Sequence, residues 1–115
     1  MENYNLMYRM GEHLIAVYRE GYMSACAELS FMENDTLFFN RLYVHPKLRH
    51  RGIAKRLMNM ICDKVDVEQL NIVNYINSYG DLDEKDLIAF YSKFGFVLTD
   101  NGSYIRSYVV SSEKK

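Results

Sequence analysis

Apolar and polar residues alternate over much of the first 45 positions, as they do in β-strands with one buried face. The alternation is clearest over residues 22–31, where the apolar face consists of Met23, Ala25, Ala27, Leu29 and Phe31. Residues 13–18 and 36–44 are similarly rich in aliphatic and aromatic side chains, and turn-forming residues separate the three segments. Pro46 ends the third segment because proline has no backbone N–H for a sheet. The pattern predicts three strands in an antiparallel meander.

After Gly52 the apolar spacing changes from two residues to about four, which is typical of an amphipathic helix. The buried face of the predicted helix, over residues 53–70, carries Ile53, Leu57, Ile61 and Val65. The polar face carries Arg56, Asn59, Asp63 and Asp66. Residues 71–77 are predicted to form a strand. Because a helix connects this strand to residues 36–44, the two strands are expected to be parallel.

A second helix is predicted after Asp81, because Glu84 follows three residues later in the spacing of a capping box. Gly95 suits the left-handed position that ends such a helix. Two last strands, over residues 96–99 and 103–110, flank the hairpin turn at residues 100–102. The predicted fold class is α+β: a mixed, mostly antiparallel sheet of about six strands with two principal helices and one parallel pair.

The length of 115 residues fits one domain with one core, so residues 1–115 are expected to form a single unit. Within it, residues 1–12 are expected to be an N-terminal segment outside the strands, and residues 111–115 a solvated tail. The composition, 49% hydrophobic and 25% charged, is that of a globular protein and unlike that of a disordered chain.

Charge and cysteine content narrow the expected partners and setting. The net charge of -1 gives no general electrostatic reason to bind nucleic acid or an acidic membrane surface. No apolar run approaches the roughly 20 residues that cross a bilayer, and no signal peptide is recognised. Cys26 and Cys62 have no metal-binding spacing, so no metal site is expected. A reducing, cytoplasmic setting fits best, and neither a monomer nor a homodimer is favoured.

Residues 42–57 carry the most informative chemistry: a strand, a proline stop, a basic loop with one glycine, and a helix start. A helix N-terminus presents unpaired backbone N–H groups, and Gly52 allows the backbone to approach a phosphate closely. Positive side chains surround it, namely Arg49, His50, Arg51, Lys55 and Arg56. These residues predict a local anion site. An ordinary solvated loop followed by a helix fits the spacing equally well.

The same residues carry a family resemblance. The RxxGxA pattern of Arg49, Gly52 and Ala54, together with FYSKFGF at residues 90–96, resembles the motifs of the GNAT superfamily of N-acetyltransferases. The resemblance implies acetyl-coenzyme A as cofactor. It further implies that Leu42, Tyr43 and Val44 contact the pantetheine arm through their backbone. The pyrophosphate would be held by Arg49, His50, Arg51, Gly52, Ile53 and Ala54.

Tyr91 lies within FYSKFGF and matches the tyrosine that protonates the departing coenzyme A thiolate in this family. A phenol with an ordinary pKa near 10 stays protonated at neutral pH and can donate to a thiolate. Without the motif, Tyr91 would be interpreted as one more aromatic residue on an apolar helix face. The resemblance therefore implies that Tyr91 is the general acid.

The sequence departs from the family at the general base. Asn40 and Arg41 occupy the place of the glutamate that many relatives carry before the pyrophosphate loop. The next strand offers Asn74 and Asn77, and the second helix begins with Asp83 and Glu84. Glu28 is the remaining candidate base, and a solvent-facing strand carboxylate is the competing interpretation.

A second departure concerns the acceptor side. Relatives usually insert two helices between their first two strands, whereas only residues 19–21 separate the first two strands predicted here. The acceptor site is therefore expected to be open, which favours a protein or peptide over a small amine that needs an enclosing pocket. Dimerisation is the alternative way to close it.

The sequence thus predicts a transferase that moves the acetyl group of acetyl-coenzyme A directly to an amine, with a protein or peptide favoured as acceptor. The first alternative is a catalytically weak module that binds acetyl-coenzyme A for regulation or interaction. The second alternative is an acetyltransferase for small-molecule amines. Nucleic-acid binding through residues 49–56 is disfavoured because one short basic cluster makes few phosphate contacts.

Overall fold

The computed structural model describes residues 3–76 and 84–110. Its elements, in chain order, are β1 (Asn3–Met10), β2 (His13–Glu20), β3 (Met23–Phe31), β4 (Thr36–Val44), a short 3-10 helix (Pro46–Leu48), α1 (Ile53–Val67), β5 (Asn71–Asn74), α2 (Glu84–Ser92), β6 (Val97–Leu98) and β7 (Tyr104–Arg106). The predicted α+β class is confirmed, with seven strands where about six were expected. Asn77, Asp81, Asp83 and the predicted tail at residues 111–115 lie outside the described residues.

The strands form one sheet in the order β1-β2-β3-β4-β5-β7-β6. All neighbours are antiparallel except β4 and β5, which are parallel as predicted. Helix α1 connects that parallel pair. None of the helices in residues 3–76 and 84–110 is long and apolar enough to span a membrane.

The expectation that residues 1–12 lie outside the strands is wrong. β1 pairs with β2 along its whole length, through a tight turn in which Gly11 adopts a φ of +61°. The sequence did not predict this strand because β1 lies at the edge of the sheet and its side chains are almost all exposed. It therefore has no buried apolar face that an alternating pattern would reveal. The strands at 13–20 and 23–31 are accordingly the second and third. No helix separates β1 from β2 within the described residues.

Helix α1 packs against one face of the sheet, which we call the covered face. Its buried side chains are Ile53, Leu57, Met58, Ile61, Cys62 and Val65, and they include the predicted apolar face. Ala16 and Ala27 are directly paired across β2 and β3 and are fully buried on this face. Because these strand side chains are small, a helix carrying large side chains can lie close to the sheet.

Helix α2 lies on the same face, because Tyr91 contacts Phe39 with ring centroids 5.6 Å apart, and Phe39 pairs with the buried Leu29. The two helices therefore share the covered face, and the space between them opens beside β4. This arrangement positions the clefts described below.

Asp66 was expected on the outward face of α1, and that prediction is wrong. Both carboxylate oxygens of Asp66 accept hydrogen bonds from Arg106, at 2.8 and 3.0 Å. The backbone N–H of Val109 also donates to Asp66, at 2.9 Å. The hydrogen bonds from Arg106 lower the pKa of the Asp66 carboxyl. Asp66 thus ties the end of α1 to the last strand.

The opposite face of the sheet, which we call the open face, has no covering helix in the described residues. Side chains that oppose each other in antiparallel pairs lie on one face, so Tyr8 lies with Ile15 and Leu6 with Val17. The exposed apolar side chains of β1 on this face are Tyr4, Leu6, Tyr8 and Met10, each at least 39% exposed.

Candidate active site

The loop between β4 and α1 is shaped by two left-handed backbone positions. His50 has a φ of +64° and Gly52 a φ of +78°. Gly52 is the N-cap of α1 and has no side chain to satisfy the first helical N–H groups. The first helical hydrogen bond runs from the N–H of Arg56 to the carbonyl of Gly52, at 3.0 Å. The amides of residues 53–55 therefore precede the helical ladder and are available to an anion.

A cleft of about 430 Å³ opens at this helix start, between the end of β4 and helix α2. We call it the larger cleft. It is lined by Leu42, Tyr43, Val44, Leu48, Arg49, His50, Gly52, Ile53, Ala54, Lys55, Asp86, Leu87 and Phe90. Every residue expected to hold the cofactor is among them except Arg51. The sequence did not predict the three residues from α2, namely Asp86, Leu87 and Phe90. The spacing of residues within one motif does not show which other helix packs beside that motif.

Arg51 turns away from the larger cleft and donates to Glu20 Oε1 at 3.0 Å. The hydroxyl of Tyr18 donates to the same carboxylate oxygen at 2.6 Å. The hydrogen bond from Tyr18, followed by that from Arg51, lowers the pKa of Glu20. The Tyr18 pKa is raised, chiefly because its hydroxyl donates to the Glu20 carboxylate. Arg51 thus anchors the loop to the end of β2.

A β-bulge interrupts the pairing of β3 with β4. Leu29 pairs with Phe39, but Glu28 pairs with Arg41, so Asn40 is the extra residue. The parallel ladder between β4 and β5 ends nearby, at Phe38. Beyond this point, the edge of β4 borders a second cleft instead of a neighbouring strand.

The second cleft, of about 360 Å³, is called the smaller cleft and is lined by Phe39, Asn40, Arg41, Leu42, Tyr43 and Tyr91. Leu42 and Tyr43 also line the larger cleft, so the two adjoin along β4. Tyr91 is only 4% exposed. Its ring contacts those of Phe39, Phe90 and Phe96 at centroid distances of 5.2 to 5.6 Å. The predicted acid therefore lies rigidly packed beside the predicted cofactor strand.

Glu28 does not line either cleft. It lies on the open face, because the buried residues of β3 alternate with it. Its Oε2 lies 3.2 Å from Nδ1 of His13 on β2. The sequence prediction missed His13 because two strands must pair in one register before these side chains meet.

Comparisons with known proteins agree with this geometry. Residues 10–98 match the family model of the acetyltransferase (GNAT) domain. Among curated proteins, the sequence has no match. Among solved structures, the chain is similar to the PaiA N-acetyltransferase from Thermoplasma acidophilum in complex with coenzyme A. The TM-score is 0.66 with 20% identity, and 84% of this chain covers 62% of that one.

Two further structures differ in how much of their own length this chain covers. The ribosomal-protein-S18-alanine N-acetyltransferase from Escherichia coli gives a TM-score of 0.69 with 15% identity, covering 93% of this chain and 76% of that one. The anti-CRISPR protein AcrVA5 gives a TM-score of 0.61 with 19% identity, covering 90% of this chain and 98% of that one. The family match spans more than half of the sequence and includes β2 to β6. The chain therefore belongs to the GNAT acetyltransferase family.

Proposed function

We propose that the protein transfers the acetyl group of acetyl-coenzyme A directly to an amine of a polypeptide. The observation that carries the proposal is the junction of the two clefts along β4. One cleft has a helix N-terminus at its end, and the other has Tyr91. The proposed anion site at the start of α1 and the proposed proton donor on α2 thus border the same strand, β4.

The residues present fit a pyrophosphate. A Cβ added to Gly52 would meet no atom within 4 Å, so the space in front of its backbone is open to a ligand. Arg49 lines the larger cleft, and its Nε donates to the carbonyl of Val44 at 3.1 Å, which holds the guanidinium at the end of β4. Lys55 adds positive charge to the lining, and His50 adds a ring that can donate a hydrogen bond. Acetyl-coenzyme A would supply an activated thioester there.

Tyr91 is the proposed general acid. Its packing against three aromatic rings restricts its motion, which favours a fixed donor direction. A tyrosine hydroxyl has an ordinary pKa near 10, so it is still protonated at neutral pH. It therefore has a proton to give to a thiolate leaving group. The chain's contribution would be to hold that proton beside Leu42 and Tyr43.

Direct transfer is supported by the placement of the two cysteines. Cys62 lies on the buried face of α1, and burial raises the pKa of its thiol to about 11. A thiol in this state is a poor nucleophile near neutral pH. Cys26 alternates with the buried residues of β3 and so lies on the open face, away from the larger cleft. Neither cysteine is placed to carry the acetyl group from that cleft.

A polypeptide acceptor is supported by the open face. A small amine needs a concave site that covers most of its surface, and no helix roofs this face in the described residues. The Escherichia coli relative is named for an alanine of a ribosomal protein, and the similarly short AcrVA5 matches almost end to end. The first likeness supports a protein acceptor, and the second supports a fold of this compact size.

Specific observations keep two alternatives open to test. Among the described residues, the lining of the smaller cleft contains no carboxylate that could serve as base, which favours a module that binds acetyl-coenzyme A without efficient turnover. A dimer that encloses the open face would instead favour a small-molecule amine.

The deciding experiment offers acetyl-coenzyme A with peptides, polyamines and aminoglycosides, and measures initial rates against pH. We expect peptides to be the better substrates. The rate with an α-amino group should level off at a pH about 2.5 units lower than the pH at which the rate with lysine levels off, following their ordinary pKa values. No turnover on any amine would favour the binding module. A small amine used as efficiently as every peptide would contradict the polypeptide acceptor.

A further inference from the structure

A hydrogen-bonded cluster on the open face links the smaller cleft to a histidine. Asn40, which lines that cleft, donates from Nδ2 to Ser30 Oγ at 2.6 Å. Ser30 Oγ lies 3.3 Å from His13 Nδ1, and Glu28 Oε2 lies 3.2 Å from the same nitrogen. The four side chains come from β2, β3 and β4. The cluster is therefore built by strand register and not by a local motif.

The partners of His13 favour one position for the ring hydrogen. A carboxylate can only accept hydrogen bonds, so the nearby Glu28 favours the tautomer with the hydrogen on Nδ1. In the neutral ring, Nε2 then holds the lone pair. The side chain of His13 is 44% exposed, so Nε2 can be reached from solvent or by an incoming group. This is the tautomer and access that a general base requires.

The cluster and Tyr91 approach the β4 bulge from opposite faces of the sheet. Glu28 is paired with Arg41, the residue that follows the bulged Asn40. Tyr91 packs on Phe39, the residue that precedes it, from the covered face. The ladder between β4 and β5 ends at Phe38, so an acceptor that reaches this gap from the open face would approach Tyr91 from the side that carries the cluster.

We propose that His13 takes up a proton from the acceptor amine, through a water where the span requires it, and that Glu28 positions the His13 ring. This inference rests on the proposed acetyl transfer and assigns the base that the described lining of the smaller cleft does not supply. His13 is the catalytic residue and Glu28 a positioning residue.

The protons balance in this scheme. An ammonium acceptor loses two protons as its nitrogen forms the bond to the carbonyl carbon and the carbon–sulfur bond breaks. The first proton goes to His13 Nε2 and on to solvent, which leaves the neutral amine that attacks. The electron pair of the broken bond goes to sulfur, which takes the proton of Tyr91. The second nitrogen proton then returns to the Tyr91 oxygen.

The pair is not explained by stability. The side chains of His13 and Glu28 are 44% and 31% exposed, and even a fully charged pair at such an exposed place contributes at most about 1 kcal/mol to folding. Variants at these positions should therefore fold. A large loss of activity would then report on chemistry, which allows a clean test.

The test compares His13→Asn and Glu28→Gln with Glu68→Gln, a control that removes an exposed carboxylate paired with Lys64 on α1. Each variant is assayed with two peptides, one with a free α-amino group and no lysine, and one with a blocked terminus and a single lysine. Because lysine has the higher ordinary pKa, it depends more on a base. Loss of His13 should therefore reduce acetylation of the lysine peptide more than acetylation of the α-amino peptide.

We expect His13→Asn to lower kcat about 100-fold on the lysine peptide and about 10-fold on the α-amino peptide. Glu28→Gln should lower kcat about 10-fold on the lysine peptide and by a smaller factor, about threefold, on the α-amino peptide. The KM for acetyl-coenzyme A, and coenzyme A binding by calorimetry, should stay within about twofold of wild type, and Glu68→Gln should match wild type in all readouts. Added imidazole should partly restore His13→Ala.

Equal losses on the two peptides, or full activity of His13→Asn, would overturn the assignment of His13 as the base. Neither result would contradict the proposed acetyl transfer. Failure of imidazole to restore any activity to a folded His13→Ala would also count against it. Absence of turnover in the wild-type protein would overturn the proposed function, and this inference with it.

Discussion

The two faces of the sheet differ in how their functional residues are distributed along the chain. On the covered face, most of the larger cleft comes from one continuous stretch, residues 42–55, with three additions from α2. On the open face, the cluster of His13, Glu28, Ser30 and Asn40 draws on three strands. The first arrangement depends on local backbone geometry, and the second depends on strand register.

This difference matches a difference in chemistry. Holding a pyrophosphate requires backbone N–H groups at a helix start, which a short motif can specify alone. Moving a proton from an acceptor requires side chains placed around the reacting atoms, and these can come from any strand. We expect the covered face to act identically on every acceptor, whereas the open face should discriminate between amines.

The largest expected effect on this comparison comes from Tyr91→Phe, which keeps the ring packing and removes only the hydroxyl. Its kcat should fall about 100-fold or more with little change in coenzyme A affinity. Because the thiolate is the same for every acceptor, the loss should be equal for α-amino and lysine peptides. Steady-state kinetics on both peptides measures it.

Two outcomes of this experiment would contradict the role of Tyr91 on the covered face. A Tyr91→Phe loss confined to the lysine peptide would place Tyr91 on the acceptor side of the chemistry. Unchanged turnover would remove Tyr91 from the mechanism and leave it as packing against Phe39 and Phe96.

A smaller effect is expected from Asp66→Asn, which tests what holds the covered face together. Removing the paired carboxylate leaves the Arg106 guanidinium, which is 7% exposed, without its anion. We expect a loss of about 2 kcal/mol in unfolding free energy. Asp63→Asn, an exposed site on the same helix, is the control and should stay within about 0.5 kcal/mol.

The same variant has a defined pH dependence. The pKa of Asp66 is lowered in the folded protein, so its contribution is fully present above the ordinary carboxyl range and is lost as pH falls. The difference in unfolding free energy between wild type and Asp66→Asn should therefore shrink below about pH 4. Denaturant unfolding at a series of pH values would show it, and a constant difference would contradict the ion pair's role.

The sequence predicts the parts of the molecule that depend on local signals, and it does not predict the parts that depend on residues distant in sequence. The loop, helix α1 and strands β2 to β4 could be predicted, because their signals are local: alternation, a proline stop and the spacing RxxGxA. Strand β1 could not, because its apolar side chains lie on a face that no helix of the described residues covers. The partners of Arg51, Asp66 and Glu28 were missed because each lies at least 15 residues away in sequence.

The smallest predicted effect concerns the loop anchor. Glu20→Gln and Arg51→Ala should each weaken coenzyme A binding about fivefold, because both loosen the same attachment of the loop to β2. The double variant should bind no more weakly than either single one. Calorimetry on the three variants measures it. A much larger loss in Arg51→Ala than in Glu20→Gln would instead show that Arg51 itself contacts the phosphates.

The central claim is that the start of α1 holds coenzyme A, and calorimetric titration of coenzyme A into three proteins tests it most directly. Gly52→Glu places bulk and negative charge in the open space before the helix, and Gly102→Glu makes the same change in a hairpin with φ of +89° and equally open surroundings. We predict binding by the wild type and Gly102→Glu, and none by a folded Gly52→Glu. No binding by the wild type, or undiminished binding by Gly52→Glu, would contradict the account.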